Sequence, residues 1–159
     1  MIANTTDRIL LCYRIGDPDG AYPIFDATGA RLFPGRWNTS KSPLIYTSEY
    51  YSTAMLEKLV HANSVIPPNQ HYVRITIPIG TSCEVFQPAS HPGWDSKSET
   101  LGSAHGDAWF KEQRSAILIV PSIPARIDRN FLINPGHPDA AAITHDLPYP
   151  IWWDERLFS

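Results

Sequence analysis

The chain has 159 residues, of which 43% are hydrophobic and 18% charged. That is enough apolar surface for a core without disulfide or metal staples, and it excludes a disordered or collagen-like polymer. Thirteen Lys and Arg against sixteen Asp and Glu leave a net charge of −3, so there is no basic surplus for direct nucleic-acid binding.

The first apolar run, Ile9 to Arg14, reads as a strand closed by the turn cluster Gly16-Asp17-Pro18-Asp19-Gly20. It contains Cys12, which reads as a buried small hydrophobe. The run has no cationic segment ahead of it, and no stretch reaches the ~20 apolar residues of a membrane-spanning helix. A soluble, cytoplasmic protein without membrane contact is expected. Residues 16 to 43 hold four prolines and read as a long shaped loop with brief extended pieces, a length of loop that is often functional.

Leu44-Ile45-Tyr46 reads as a short buried strand, after which Thr47 or Ser48 is expected to cap a helix running to about His61, with Glu49 in its first turn. Tyr51, Met55 and Leu59 repeat at helical spacing, widened by Leu56 and Val60. Thr53, Glu57 and His61 form a narrow polar row on the same helix. Lys58 fits neither row, and its head is expected in water. Tyr72 to Ile77 alternates as a strand, and Thr81 to Phe86 is a further candidate. A short helix is expected over Ala104 to Gln113. The continuous β-rich run Ala116 to Val120 predicts a central strand buried on both faces. Asn130 to Ile133 completes about six short strands and two helices, an α+β arrangement around one core. The Trp152-Trp153 tail either packs into that core or presents aromatics to a partner.

The six histidines have no metal-ligand spacing, and neither cysteine has a neighbouring partner, so scattered surface histidines and no metal are expected. No nucleophile elbow and no Gly-rich phosphate loop is present. Three residues remain. Arg36 lies in a glycine-containing loop beside Trp37, where its guanidinium either forks onto an anion or stacks on the indole. Tyr46 ends a strand, facing either a cleft or the core. Glu57, on a mostly apolar helix, is either ion-paired or used chemically. One glutamate with arginines and a tyrosine suits a ligand carrying its own leaving group, such as a glycosidic bond to a cationic base. Ser115, Ser122 and Asn130 flank the central strand.

Seven short motifs then occur in a familiar order: Cys12-Tyr13-Arg14-Ile15, Pro34-Gly35-Arg36-Trp37-Asn38, Leu44-Ile45-Tyr46-Thr47-Ser48, Ala54 to His61, Ser115 to Ser122, Asn130 to Pro138, and Asp154 to Phe158. In these the chain resembles the RES-domain proteins, the toxin half of RES–Xre toxin–antitoxin pairs, over nearly its whole length as a single domain, 1–159. The resemblance implies an ADP-ribosyltransferase-like fold of the diphtheria-toxin type, with a split mixed sheet and flanking helices. It implies NAD as substrate, cleaved at the nicotinamide–ribose bond by hydrolysis or phosphorolysis, or used to ADP-ribosylate a protein. The family's Arg and Glu fall on Arg36 and Glu57, and its Ser on Ser122 or Ser115, with Ser122 favoured. Arg14, Tyr46 and Asn130 are implied to line the same pocket. The implied partners are an Xre-type helix-turn-helix antitoxin that blocks the active site, and a second copy in a homodimer. Two other functions compete. One is a non-enzymatic binding module with Glu57 in a structural ion pair. The other is a glycosidase needing a second acid from Asp26, Glu49 or Glu84.

Overall fold

The computed structural model describes residues 4–63 and 65–158. The strands are β1 (Asn4–Thr5), β2 (Leu10–Gly16), β3 (Ile45–Ser48), β4 (His71–Ile77), β5 (Ser82–Val85), β6 (Ile117–Pro121), β7 (Arg129–Ile133), β8 (Thr144–His145) and β9 (Tyr149–Pro150). The helices are α1 (Thr28–Leu32), α2 (Tyr51–His61) and α3 (Thr100–Lys111). Among the described residues the strands form one mixed sheet in the order β1-β5-β6-β7-β3-β2-β4-β8, with β9 also on β4. Only β5 and β6 run parallel; the other pairs are antiparallel.

This order forces the sheet to curl. β4 and β5 lie five strand spacings apart, about 24 Å on a flat sheet, yet only residues 78–81 join them. Such a link spans at most about 18 Å. Thr6 clamps the link, donating its backbone N–H to the Thr81 carbonyl (2.9 Å) and its hydroxyl to the Pro78 carbonyl (2.8 Å).

Alternation along β6 and β7 divides the core into two layers, because successive side chains point to opposite faces. Ile117, Ile119, Phe131 and Ile133 join Cys12, Ile75 and Ile77 on one face. Leu118, Val120 and Leu132 join Trp37, Leu44, Phe86 and Trp109 on the other. The expectation of a central strand buried on both faces holds for β6, which lies between β5 and β7.

Two local expectations are corrected. The polypeptide 16–43 is not only a loop, since Thr28–Leu32 is helical. The α2 cap is neither Thr47 nor Ser48; both belong to β3, and Tyr50 takes the extended N-cap conformation without a side-chain bond. The hydroxyls have better partners across the sheet, Thr47 on the Phe131 carbonyl (2.7 Å) and Ser48 on Asn130 (2.8 Å). Glu49 is drawn away from the helix by Arg129, with contacts of 3.0 and 2.8 Å. Trp152 is 78% exposed, so that half of the tail does not enter the core.

The join between β2 and β3 is narrow. Their register is a single pair, Tyr13 opposite Ser48, whereas β2 and β4 pair over seven residues. Past that pair the two strands part, and the Tyr46 carbonyl is bonded by the Arg14 side chain instead of by a strand neighbour (3.0 Å).

A glycine seam on α3 seats the segment that precedes β3. Gly102 and Gly106 are one turn apart, and the Arg36–Trp37 backbone lies directly against them. A Cβ at Gly102 would meet the Arg36 carbonyl oxygen at 2.8 Å, and one at Gly106 would fall inside the Trp37 carbonyl group. Gly106→Ala is therefore expected to cost about 3 kcal/mol or more by overpacking, read as a Tm fall of about 6–12 °C. Gly136→Ala, whose Cβ would make an ordinary contact at 3.5 Å, is the control expected to leave Tm nearly unchanged in the same calorimetric scan.

Candidate active site

The polar row of α2 faces the ends of β6 and β7. Thr53 donates to Asp128 Oδ2 (2.7 Å), and one turn later Glu57 reaches the same region. Glu57 Oε1 accepts from the Ser122 hydroxyl (2.8 Å) and from Asn130 Nδ2 (2.9 Å). Asn130 is oriented from behind by Ser48, whose hydroxyl donates to its Oδ1 (2.8 Å). Ser122, fully buried, also accepts the Ala125 N–H (3.2 Å). Both donors to Glu57 are neutral. Among the described residues no Lys, Arg or His ion-pairs with this carboxylate, and Oε2 has no donor. The structural ion pair weighed from sequence is absent.

Arg14 occupies the opening between β2 and β3. Its Nε donates to the Ile24 carbonyl (2.6 Å) and its Nη1 to that of Tyr46. Burial lowers its pKa, against the pull of Tyr22, Asp26 and Tyr46. Tyr46 packs its ring on Gly35, where a Cβ would lie 2.9 Å from the ring carbon Cζ. Its hydroxyl donates to Asn38 Oδ1 (2.7 Å) and accepts the Trp37 N–H (3.0 Å). Burial pushes its pKa up, so it stays a neutral phenol. Asn38 holds the whole turn, donating to the carbonyls of Ala30, Thr39 and Ser42.

The sequence candidates thus separate into groups. Glu57, Ser122 and Asn130 are in direct contact, and Arg14 touches Tyr46. Arg36 is placed apart. Its Nη1 donates to the carbonyls of Trp94 (3.0 Å) and Ser96 (2.8 Å), and its Nη2 lies 3.8 Å from Glu99. It does not stack on Trp37, which is buried against Phe86 and Trp94. Ser115 sits at the opposite end of β6 from Ser122 and is bound into the core. It accepts from Trp109 Nε1 (2.8 Å) and donates to the Ile117 carbonyl (2.8 Å).

Two residues to which the sequence assigned no part in the site border it. Ser48 was legible by alternation along β3, which puts it on the face of Tyr46. Lys58 is half-buried, its stem enclosed and its ammonium held below the ordinary value by burial and then by the Arg14 charge. Its signal was its spacing of one helical turn from the buried Ala54.

The competing acids are all committed. Glu49 is forked by Arg129 and Glu84 by Arg114, and Asp26 accepts the Thr28 N–H. His105 corrects the picture of surface histidines. α3 carries it inward, 4.8 Å from Phe86 and 5.1 Å from His91 between ring centroids, with Nε2 3.4 Å from Glu84. The nearby His105 ring and the Arg114 fork hold Glu84 below the usual carboxylate range. Two cavities adjoin these elements. One of about 240 Å³ is lined by Phe25, Ile45 and Ile133, and one of about 160 Å³ by Phe86, Val120 and Arg129. No helix among the described residues is long and apolar enough to cross a membrane.

Comparison with known proteins agrees with this architecture. The fold is similar to that in the crystal structure of the M. tuberculosis MbcT–MbcA toxin–antitoxin complex, with a TM-score of 0.70 at 17% identity over 92% of this chain and 86% of that one. Residues 11–154 match the RES domain, and the chain belongs to the RES-domain family. A relative from Sphingobium sp., named Prs ADP-ribosylating toxin, is 36% identical over 82% of this chain and 86% of its own length. Toxin Res of Pseudomonas putida is 32% identical over 76% and 83%.

Cys12 lies within the sheet below this site, and burial pushes its thiol up to about 12. A thiolate nucleophile is therefore not available from it. Native protein at pH 8 is expected to leave Cys12 unmodified by iodoacetamide for hours and to label it at once in denaturant, as peptide mass analysis would read.

Proposed function

We propose that this chain is a toxin that breaks the nicotinamide–ribose bond of NAD, and that its antitoxin is an Xre-type helix-turn-helix protein that closes the same cleft. The observation that carries the reading is the Glu57 carboxylate, held by Ser122 and Asn130 without any cation to neutralise it. In the reaction the bond between ribose C1′ and the pyridinium nitrogen breaks, and its electron pair leaves with neutral nicotinamide. The ribose is left as an oxocarbenium ion, and a fixed, uncompensated carboxylate stabilises that charge as it develops. Tyr46, a neutral phenol packed on Gly35, would border the nicotinamide ribose, with Arg14 on the diphosphate and Arg36 at the rim. The narrow β2–β3 join supports a split sheet of the ADP-ribosyltransferase kind, with the dinucleotide along the opening. The unit is a single RES domain over 1–159, cytoplasmic, and a homodimer inside the toxin–antitoxin complex.

Two acceptors suit one cleft. Water or phosphate at C1′ destroys NAD and depletes the cell, whereas a protein side chain there becomes ADP-ribosylated. The name of the Sphingobium relative favours the second. NAD labelled in the adenine ring separates them, since label on protein identifies transfer and free ADP-ribose or its phosphate identifies destruction.

Glu57→Gln keeps an acceptor oxygen for Ser122 and Asn130 while deleting the charge. It is expected to slow nicotinamide release by about 100- to 1000-fold with Tm near that of the parent. A variant releasing nicotinamide at the parental rate would refute the assignment. Ser115→Ala is the contrasting change. It leaves the Trp109 indole N–H without its acceptor, which costs about 1–3 kcal/mol of stability while turnover per folded molecule stays unchanged.

A further inference from the structure

Lys58 is not one of the residues assigned above, and its surroundings are unlike those of the other cations. α2 lies against β2 and β3. Its Thr53–Glu57 row turns toward β7, as the bonds to Asp128 and Asn130 show. Ala54 and Lys58 form the adjacent row, about 100° further round the helix. Ala54 is buried, so this row also faces the sheet, and Lys58 is half-buried at its end. Arg14 stands in the gap between the two strands that α2 covers.

Among the described residues the other cations are either paired with a carboxylate or, as for Arg8, Arg31, Lys41, Lys97 and Lys111, exposed to water. Arg129 is forked onto Glu49, Arg114 onto Glu84, Arg126 meets Asp95, and Arg74 meets Asp146. Among the described residues neither Arg14 nor Lys58 has a carboxylate partner. Arg14 Nη2 makes no hydrogen bond among them, and it lies over Gly29, where a Cβ would come within 3.5 Å. Two desolvated like charges repel, and each is held below its ordinary value by burial, with the Arg14 charge adding to the effect on Lys58. An anion placed between them would relieve both costs at once.

We propose that Lys58 is a binding residue for the diphosphate of the dinucleotide, acting together with Arg14 at the β2–β3 opening. The proposal rests on the NAD reading above and extends it. Adjacent positions on one helix then address the two charges of one ligand. Glu57 meets the cationic nicotinamide ribose, and Lys58 meets the diphosphate one ribose away.

The test measures binding without turnover. Calorimetry with ADP-ribose, inorganic pyrophosphate and adenosine is run on the full chain and on Lys58→Ala, Lys58→Met and Lys58→Arg, each checked for parental Tm. Loss of the ammonium is expected to weaken ADP-ribose and pyrophosphate about tenfold, as for a charge-assisted hydrogen bond, and to flatten the fall of affinity with KCl. Adenosine, which lacks phosphate, should bind all variants alike, and Lys58→Arg should retain most of the affinity. In turnover KM for NAD rises while kcat stays within about twofold. Unchanged pyrophosphate and ADP-ribose binding in Lys58→Met overturns the proposal, as does an equal loss for adenosine. If the parent protein neither releases nicotinamide nor labels protein, the functional reading falls. The pyrophosphate measurement still decides Lys58 in that case.

Discussion

The carboxylate of Glu57, fixed by two neutral donors and by no cation, is the interaction on which the site depends. A buried or half-buried acid in a folded protein is commonly neutralised by an arginine, as Glu49 and Glu84 are here. Neutral donors position a carboxylate while leaving its charge to act on something else. The donors come from the ends of two neighbouring strands, Ser122 just beyond β6 and Asn130 within β7. Their spacing is therefore as rigid as the sheet itself. Ser48 extends the chain of bonds one strand further and fixes which way the Asn130 amide points.

The same sheet separates unlike charges. Glu57 reaches the ends of β6 and β7, whereas Arg14, bonded to two backbone carbonyls, belongs to β2, across the narrow join. Had β2 and β3 been zipped along their length, the Tyr46 carbonyl would have had a backbone donor, and the Arg14 guanidinium would have had no place there. The curl imposed by the four-residue link from β4 to β5 bends the sheet, and strand divergence is one way a strongly bent sheet is accommodated. Backbone geometry and charge placement are thus one feature of the fold. The glycines of α3 complete it by letting the Arg36–Trp37 backbone lie against the helix, which seats Gly35 under the Tyr46 ring.

Much of this was legible in the amino-acid order. The cores of β2, β4, β6 and β7 and the body of α2 follow from apolar periodicity, and their ends shift by one or two residues where backbone pairing extends them. The two-residue strands β1, β8 and β9 carry no periodic signal, because two residues cannot express one. The start of α3 at Thr100 was hidden because Glu99 enters it in a left-handed conformation without a side-chain cap. Propensity placed Thr47 and Ser48 at the helix cap, and pairing with β7 overrode it.

The sequence alone determined that Glu57 projects from a polar row on an otherwise apolar helix, and its ordered motifs announced the RES-domain family. Those are local properties, set by the 3.6-residue turn and by the order of side chains. Only the tertiary structure decided that Ser122, and not Ser115, meets that glutamate, that Arg36 is tied to the 94–96 backbone, and that Lys58 stands close enough to Arg14 to feel its charge. Each of those outcomes depends on which strands become neighbours and where a curled sheet opens. Hydrogen bonds between residues 65 to 73 positions apart express that arrangement, and no window of sequence contains it.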